Sequence, residues 1–219
     1  MKRIILVGAG GHAAELYEYI AYANAVRSSS MRMEVVGIID DNPQNYEEYA
    51  YEAPFLGSIR SHVPESGVQY LLGIANLKYR EGLVRSLQER GAAFTRFIHP
   101  MAFVSKSAYI GQGVVIAPNV TIGPLAKIGD FTLVNSRCSI AHNTLVGRYN
   151  FLSPNVCFSG HTAVGDSNMF GINSATIPGI RVGSRNKIMA GLTLVHSIGD
   201  DQAVFYRYKE RILMPVLDK

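Results

Sequence analysis

The first hundred residues alternate two hydrophobic rhythms. Short apolar runs at 3–7, 35–40, 70–74 and 93–98 read as strands, and segments 13–25 and 78–90 carry apolar side chains at helical spacing, the second stopped by Gly91. Strand alternating with helix predicts a small parallel sheet. The polar, serine-rich stretch 26–33 reads as an exposed loop.

From Ile98 onward the rhythm changes. At steps of six residues, from Ile98 through Val104 and Ile110 to Leu194, sixteen of seventeen positions are apolar against a chain average of 47%, Thr176 being the exception. Glycine follows directly at 111, 123, 129, 147, 165, 171 and 183, and the side chain two places earlier is usually small or β-branched, as in Ala102, Val114, Ala126, Thr132, Cys138, Thr144 and Thr162. Neither a period of 3.6 nor one of two fits this. A chain wound into triangular coils does. Each hexad supplies one short strand and one corner, three hexads close a coil of 18 residues, and each apolar side chain stacks on its equivalent about 4.8 Å above. The glycine and the small residue are expected to let the backbone turn at the corner. Between five and six coils result, and both open ends need cover, for which the N-terminal region and the last twenty residues are available. The division is then a small α/β, Rossmann-like half domain at 1–97, an all-β solenoid at 98–199, and a C-terminal capping segment at 200–219.

Charge follows the same boundary: residues 1–97 carry 21 of the 38 charged side chains and residues 98–199 only nine. The net charge of +4, without any run of Lys and Arg, argues against nucleic acid and suits an anionic small ligand. Two cysteines, Cys138 and Cys157, are too few for a disulfide framework and lack metal-ligand spacing, so a reducing compartment and no metal are expected. The apolar run at the start is four residues long, too short for a signal peptide or a membrane span, so a cytoplasmic location without membrane insertion is expected.

Gly8, Gly10 and Gly11 lie between the first strand and the first helix, where backbone N–H groups and the positive helix end hold phosphate, with His12 as an added donor. Asp40 at the end of the second strand raises a dinucleotide cofactor, but about 97 residues hold one mononucleotide half. A tight turn without ligand is the plain alternative. Of six histidines, His142 falls at a corner of the prism, His161 is 19 residues later and one coil up, and His196 is 54 later, three coils up the same column and about 14 Å away. His62, in a loop of the first region, and His99, at the junction, suit structural roles.

The hexads resemble the hexapeptide-repeat acyltransferases. With GAGGHAAE, GIIDDN, the pair His99–Pro100, NSRCSIAHN and FGINSATIPG, the chain resembles their nucleotide-amino-sugar N-acetyltransferases of the bacillosamine type and relatives known as sialic acid O-acetyltransferases. The resemblance implies a left-handed parallel β-helix, a homotrimer, acetyl-CoA as co-substrate and a nucleotide-linked amino sugar as acceptor. It assigns Gly8, Gly10, Gly11, His12, Asp40 and Asp41 to the nucleotide sugar. It makes His142 the general base, with Asn135 seven residues earlier positioning the acetyl or sugar group, and His161 the second candidate. It runs the pantetheine arm along Gly160, His161, Ile172, Ala190 and Gly191.

Two positions depart from the family pattern. Relatives place Glu or Asp after the catalytic histidine, where this chain has Asn143, and they end in Gly-x-Pro-Ala-Lys/Arg where this chain reads VFYRYKERILMP. Residues 181–211 hold Arg181, Arg185, Lys187, Arg207, Lys209 and Arg211 against Asp200, Asp201 and Glu210, which suits either coenzyme A phosphates or a solvated face. The expected activity is N-acetylation of a nucleotide-linked amino-dideoxy sugar. Sugar O-acetylation, an NADH-dependent reductase and a non-catalytic trimeric scaffold are the alternatives.

Overall fold

The computed structural model describes residues 1–206. In the first region β1 (Lys2–Val7), β2 (Met33–Ile39), β3 (Gln69–Leu72) and β4 (Ala93–Phe94) form one parallel sheet in the order β2-β1-β3-β4. The helices α1 (Gly11–Val26) and α3 (Leu77–Glu89) cross over between strands. Ala13, Leu16, Ile20 and Ala23 are the buried stripe of α1, spaced as one helix face requires. A short helix absent from the sequence reading, α2 (Pro43–Glu47), starts where Asn42 accepts a hydrogen bond from Gln44 N–H and Pro43 takes the first helical position. The stretch 26–33 holds a single 3-10 turn, Ser29–Met31.

From β5 (Phe97–Ile98) to β21 (Thr193–Leu194), two-residue strands recur every six residues, and each ends on one of the seventeen hexad positions. They build three parallel sheets in which every strand pairs with the one 18 residues away, the geometry of a left-handed β-helix. From Ile110 onward the second residue of each pair, including Ile116, Ile122, Ile128, Val134, Ile140, Leu152 and Phe170, points into the prism and is buried. Thr176 is accommodated because its hydroxyl accepts from Ser159 N–H and meets the Thr162 hydroxyl at 2.9 Å.

The corners turn differently from expectation. From Ile110 onward, positive φ falls three residues past each inward position, at 113, 119, 125, 131, 137, 143 and so on to 191, and eleven of these fourteen residues are not glycine. The glycine that follows the apolar residue serves another need. A Cβ on Gly171 would lie 2.5 Å from Ala190 N, so at this corner the next coil can stack at about 4.8 Å only because the residue has no side chain. From Val114 onward the residues two places before the apolar position are inward and buried. Among them Asn150, Asn168 and Asn186 form a ladder. Asn168 N–H and Nδ2 donate to Asn150 Oδ1 at 2.9 and 3.0 Å, Asn168 Nδ2 also reaches Gly183 O, and Asn186 N–H donates to Asn168 Oδ1 at 2.8 Å.

The repeat loses two residues after Leu194. Val182 bridges Ile198 and β22 (Ala203–Val204) pairs with β20 (Lys187–Ile188), both 16 residues apart instead of 18, and positive φ resumes at Asp201, three past Ile198. The solenoid thus runs from Phe97 to Val204, and the segment expected to cap begins with a strand. The α/β region covers a flank of the prism, not its open end. It packs on Phe97, Val115 and Leu133, which face outward from β5, β8 (Val115–Ile116) and β11 (Leu133–Val134). At the lower end, Ile98, Ala102, Val104 and Ala108 remain partly buried, and Arg27 and Arg96 donate to the carbonyls of Ile98 and Ile110, which blunts two free strand edges.

His99 sits at the junction. Its ring is buried against Phe97, Tyr19 and Tyr22, and Nδ1 accepts from Met101 N–H at 3.1 Å. Burial, aided by Arg27, holds its pKa below the usual 6.5, so the neutral ring is the folded form. Its contribution to stability is complete above about pH 6.5 and is lost as pH falls toward the lowered folded value, by at most about 1.4 kcal/mol per pH unit. Urea titrations from pH 8 to pH 5 should show this loss, and His99→Gln should flatten it. Asn168→Ala would strip partners from Asn186 N–H, Gly183 O and Asn150 Oδ1, and should cost about 3 kcal/mol in the same denaturation experiment.

Candidate functional site

At the carboxyl ends of the sheet strands, where Gly8 ends β1, Asp40 ends β2 and Gly73 ends β3, a cavity of about 630 Å³ opens. All six residues expected at the nucleotide sugar line it: Gly8, Gly10, Gly11, His12, Asp40 and Asp41. Their parts differ. Gly8 has φ of 102°, and a Cβ there would press on Ile74, so this glycine is set by the fold. Gly10 has ordinary φ, and a Cβ on it would meet nothing, so the protein itself leaves its surface free for a ligand to approach. No side chain caps α1, which leaves N–H groups at its first turn available to an anion.

Asp40 is spent on structure. Its carboxylate accepts from Ala9 N–H at 2.7 Å, from Asn42 N–H at 2.8 Å and from Asn45 Nδ2, so it shapes the glycine loop. Asp41 is exposed, accepts from the Ser58 hydroxyl at 2.6 Å and pairs with Arg60 at 3.2 Å. Partial burial raises its pKa, but the Ser58 and Arg60 hydrogen bonds and the Arg60 charge outweigh it and hold the carboxyl below its usual range. Among the described residues Arg60 is the one Lys or Arg side chain lining this cavity, and no motif marks it in the sequence.

A second cavity, about 600 Å³, lies between the α/β region and the solenoid. Asn135 and Phe151 line it from the prism, and His12, Glu15, Tyr17, Tyr49 and Tyr51 from the other side. The two cavities share Gly11, His12 and Ala75 as their partition. His12 Nδ1 lies 3.6 Å from Glu15, while its Nε2 is buried without a partner. The tyrosines were overlooked, although the run YEEYAY at 46–51 marks them. Tyr51 donates to Ala9 O at 2.8 Å and packs on Tyr46 and Tyr17; burial raises its pKa.

His142 is elsewhere. Along the prism the corner after β12 (Ser139–Ile140) carries His142 and Asn143, and one coil up the same edge carries Gly160 and His161. The corner after β11 carries Asn135, and the same edge higher up carries Ile172, Ala190 and Gly191. The expected site residues therefore fall on two edges of one face, and within one chain Asn135 and His142 are a prism face apart. The rings of His142 and His161 meet edge to face at 5.2 Å. His142 Nδ1 lies 3.0 Å from Asn143 Oδ1, which can only accept, so Nδ1 carries the proton and Nε2 keeps its lone pair. Asn143 has φ of 58°, a backbone conformation that Asn tolerates better than most residues. One side chain thus turns the corner and sets the tautomer.

Cys138 is buried, donates to Ser153 O, and has its thiol pushed up to about 12 by burial, which removes it as a nucleophile. His62 bonds the Tyr70 hydroxyl at 2.8 Å, a structural role. Of the charged residues between 181 and 211, Arg185 is held by Asp200 and Asp201, while Arg207, Lys209, Glu210 and Arg211 lie outside the described residues. Among the described residues no group of three His, Cys, Asp or Glu side chains could hold a metal, and no helix is long and apolar enough to cross a membrane.

Residues 3–87 match the PglD N-terminal domain family. The match ends inside α3 and takes in both the glycine loop and Asp40. Solved structures share the fold over nearly the whole chain. The acetyltransferase domain of PglB from Neisseria gonorrhoeae FA1090, in complex with acetyl coenzyme A, is 25% identical with a TM-score of 0.79, covering 92% of this chain and 95% of that one. PerB from Caulobacter crescentus, in complex with CoA and GDP-perosamine, is 24% identical with a TM-score of 0.80, covering 93% of each. WeeI from Acinetobacter baumannii AYE is 19% identical with a TM-score of 0.77, covering 93% and 96%.

Gly160 makes room for His142: a Cβ there would come within 2.8 Å of the ring at Cε1 and Nε2. Gly160→Ala should leave the fold intact, because the ring can swing aside, and should shift the His142 imidazole signals in NMR while leaving those of His62 and His99 in place.

Proposed function

We propose that the protein is an acetyl-CoA-dependent N-acetyltransferase acting on a nucleotide-linked amino-dideoxy sugar of bacterial surface-glycan synthesis, working as a cytoplasmic homotrimer. The observation that carries this reading is the pairing of a ligand-accessible glycine loop with an imidazole of fixed tautomer on a β-helix edge, in a fold shared with PglB and PerB. The nucleotide occupies the glycine-loop cavity, its diphosphate on the uncapped start of α1. The sugar extends past His12 into the aromatic cleft toward Asn135.

A trimer resolves the separation of Asn135 from His142. The two lie on different prism edges, so neighbouring copies can bring one edge of each against the other and complete the cleft. His142 Nε2 takes a proton from the sugar nitrogen as that nitrogen bonds to the thioester carbonyl carbon; the C–S bond then breaks, and the proton is passed to the leaving sulfur. Backbone N–H groups stabilise the oxyanion. Ile172, Ala190 and Gly191, stacked on one exposed corner with Gly191 N–H bonded to Ile172 O at 2.7 Å, flank the pantetheine arm together with Gly160 and His161.

Turnover of acetyl-CoA with a panel of UDP-, dTDP- and GDP-linked amino sugars tests the reading. Activity with an amino sugar and none with its hydroxy counterpart is expected. His142→Ala should lower kcat/KM at least about 100-fold. Retained turnover in that variant would move the base to His161.

A further inference from the structure

Arg80 is the largest fully buried side chain among the described residues, and none of their carboxylates lies within ion-pair distance of it. It belongs to the second turn of α3, two residues past the Lys78 N–H that Asn76 caps. Its Nη1 donates to Ile74 O at 2.5 Å, its Nη2 donates to Phe131 O, and its Nε has no partner. Burial pulls its pKa down to about 10, still far enough up to keep it charged at neutral pH. An unpaired buried cation is costly, and an apolar residue of similar size would fill the space more cheaply.

The two carbonyls it joins belong to different parts of the molecule. Ile74 lies in the loop 73–76, which walls the glycine-loop cavity and, through Ala75, the aromatic cleft. Phe131 occupies a left-handed corner of the prism, stacked on Tyr149 at 5.3 Å, and opens the turn into β11, at whose end Asn135 enters the cleft. A planar fork with two donors fixes the spacing of two carbonyls in a way that a packed hydrocarbon does not.

We propose that Arg80 is a positioning residue that holds the loop 73–76 in register with the β-helix, and so sets the width of the cleft that takes the nucleotide-linked sugar. This rests on the transferase reading. The residue touches no reacting atom, and acts through Ile74 and Ala75 on one side and through the strand leading to Asn135 on the other.

The test compares Arg80→Met and Arg80→Lys with the native full-length chain. Three quantities are read: KM for the nucleotide sugar, KM for acetyl-CoA, and the urea midpoint. Arg80→Met is expected to raise KM for the sugar at least about tenfold while KM for acetyl-CoA changes less than twofold. A variant that loses stability but keeps the native KM for the sugar would overturn the proposal, because it would make Arg80 a packing residue only. Arg80→Lys keeps the charge and offers no fork. It carries the same comparison if the methionine variant does not fold, with a rise of at least about threefold in KM for the sugar expected and an unchanged value contradicting the proposal. Calorimetric titration with UDP and GDP runs alongside. A native chain that binds either nucleotide without acetyl transfer would count against the transferase reading alone, and weaker nucleotide binding by the Arg80 variants would still support the positioning role.

Discussion

Everything in the solenoid depends on backbone stacking at an 18-residue offset. Each coil is hydrogen-bonded to the next along three short ladders, and each inward side chain is buried only because an equivalent one lies above and below it. A coil by itself would have neither a core nor paired edges, so the prism is stable only as a stack. At the seven corners that carry glycine after the apolar residue the spacing leaves no room for a Cβ over the next coil, while corners of other geometry hold Ala117, Asn135, Ser153 or Ile177 at the same position. The left-handed residue two places further on makes the turn, and there Asn, Arg, His and aromatic residues are tolerated.

That rigid stack turns linear spacing into position. Residues 18 apart share a column, so His142 and His161 share one edge while Asn135 and Gly191 share another. Chemistry placed on edges reads as isolated side chains in one copy and becomes a site when edges of separate copies meet. The α/β region contributes the complementary half. Its glycine loop is shaped by Asp40 from beneath, and its aromatic segment folds over the start of α1 to form the outer wall of the cleft.

Buried polar groups do the aligning. The Asn150–Asn168–Asn186 ladder fixes the vertical register of the coils, since a one-residue slip would leave buried amides without partners. Arg80 performs the corresponding task between the two regions, and Arg27 and Arg96 cover free carbonyls at the lower end.

The sequence by itself determined the repeat and its consequences: strand positions, coil length, inward residues, the edge shared by His142 and His161, and the glycine-loop half domain. These follow from periodicity, which is a local and one-dimensional property. Only the tertiary structure decided what depends on distant segments meeting. It showed that Asp40 is consumed by Ala9 N–H, that Arg60 and the tyrosines of 46–51 reach the cavities, that the α/β region lies along the flank, and that two residues drop out of the repeat after Leu194. A hydrogen-bond partner 31 or 51 residues away leaves no periodic trace in the chain, because only folding makes the two residues neighbours.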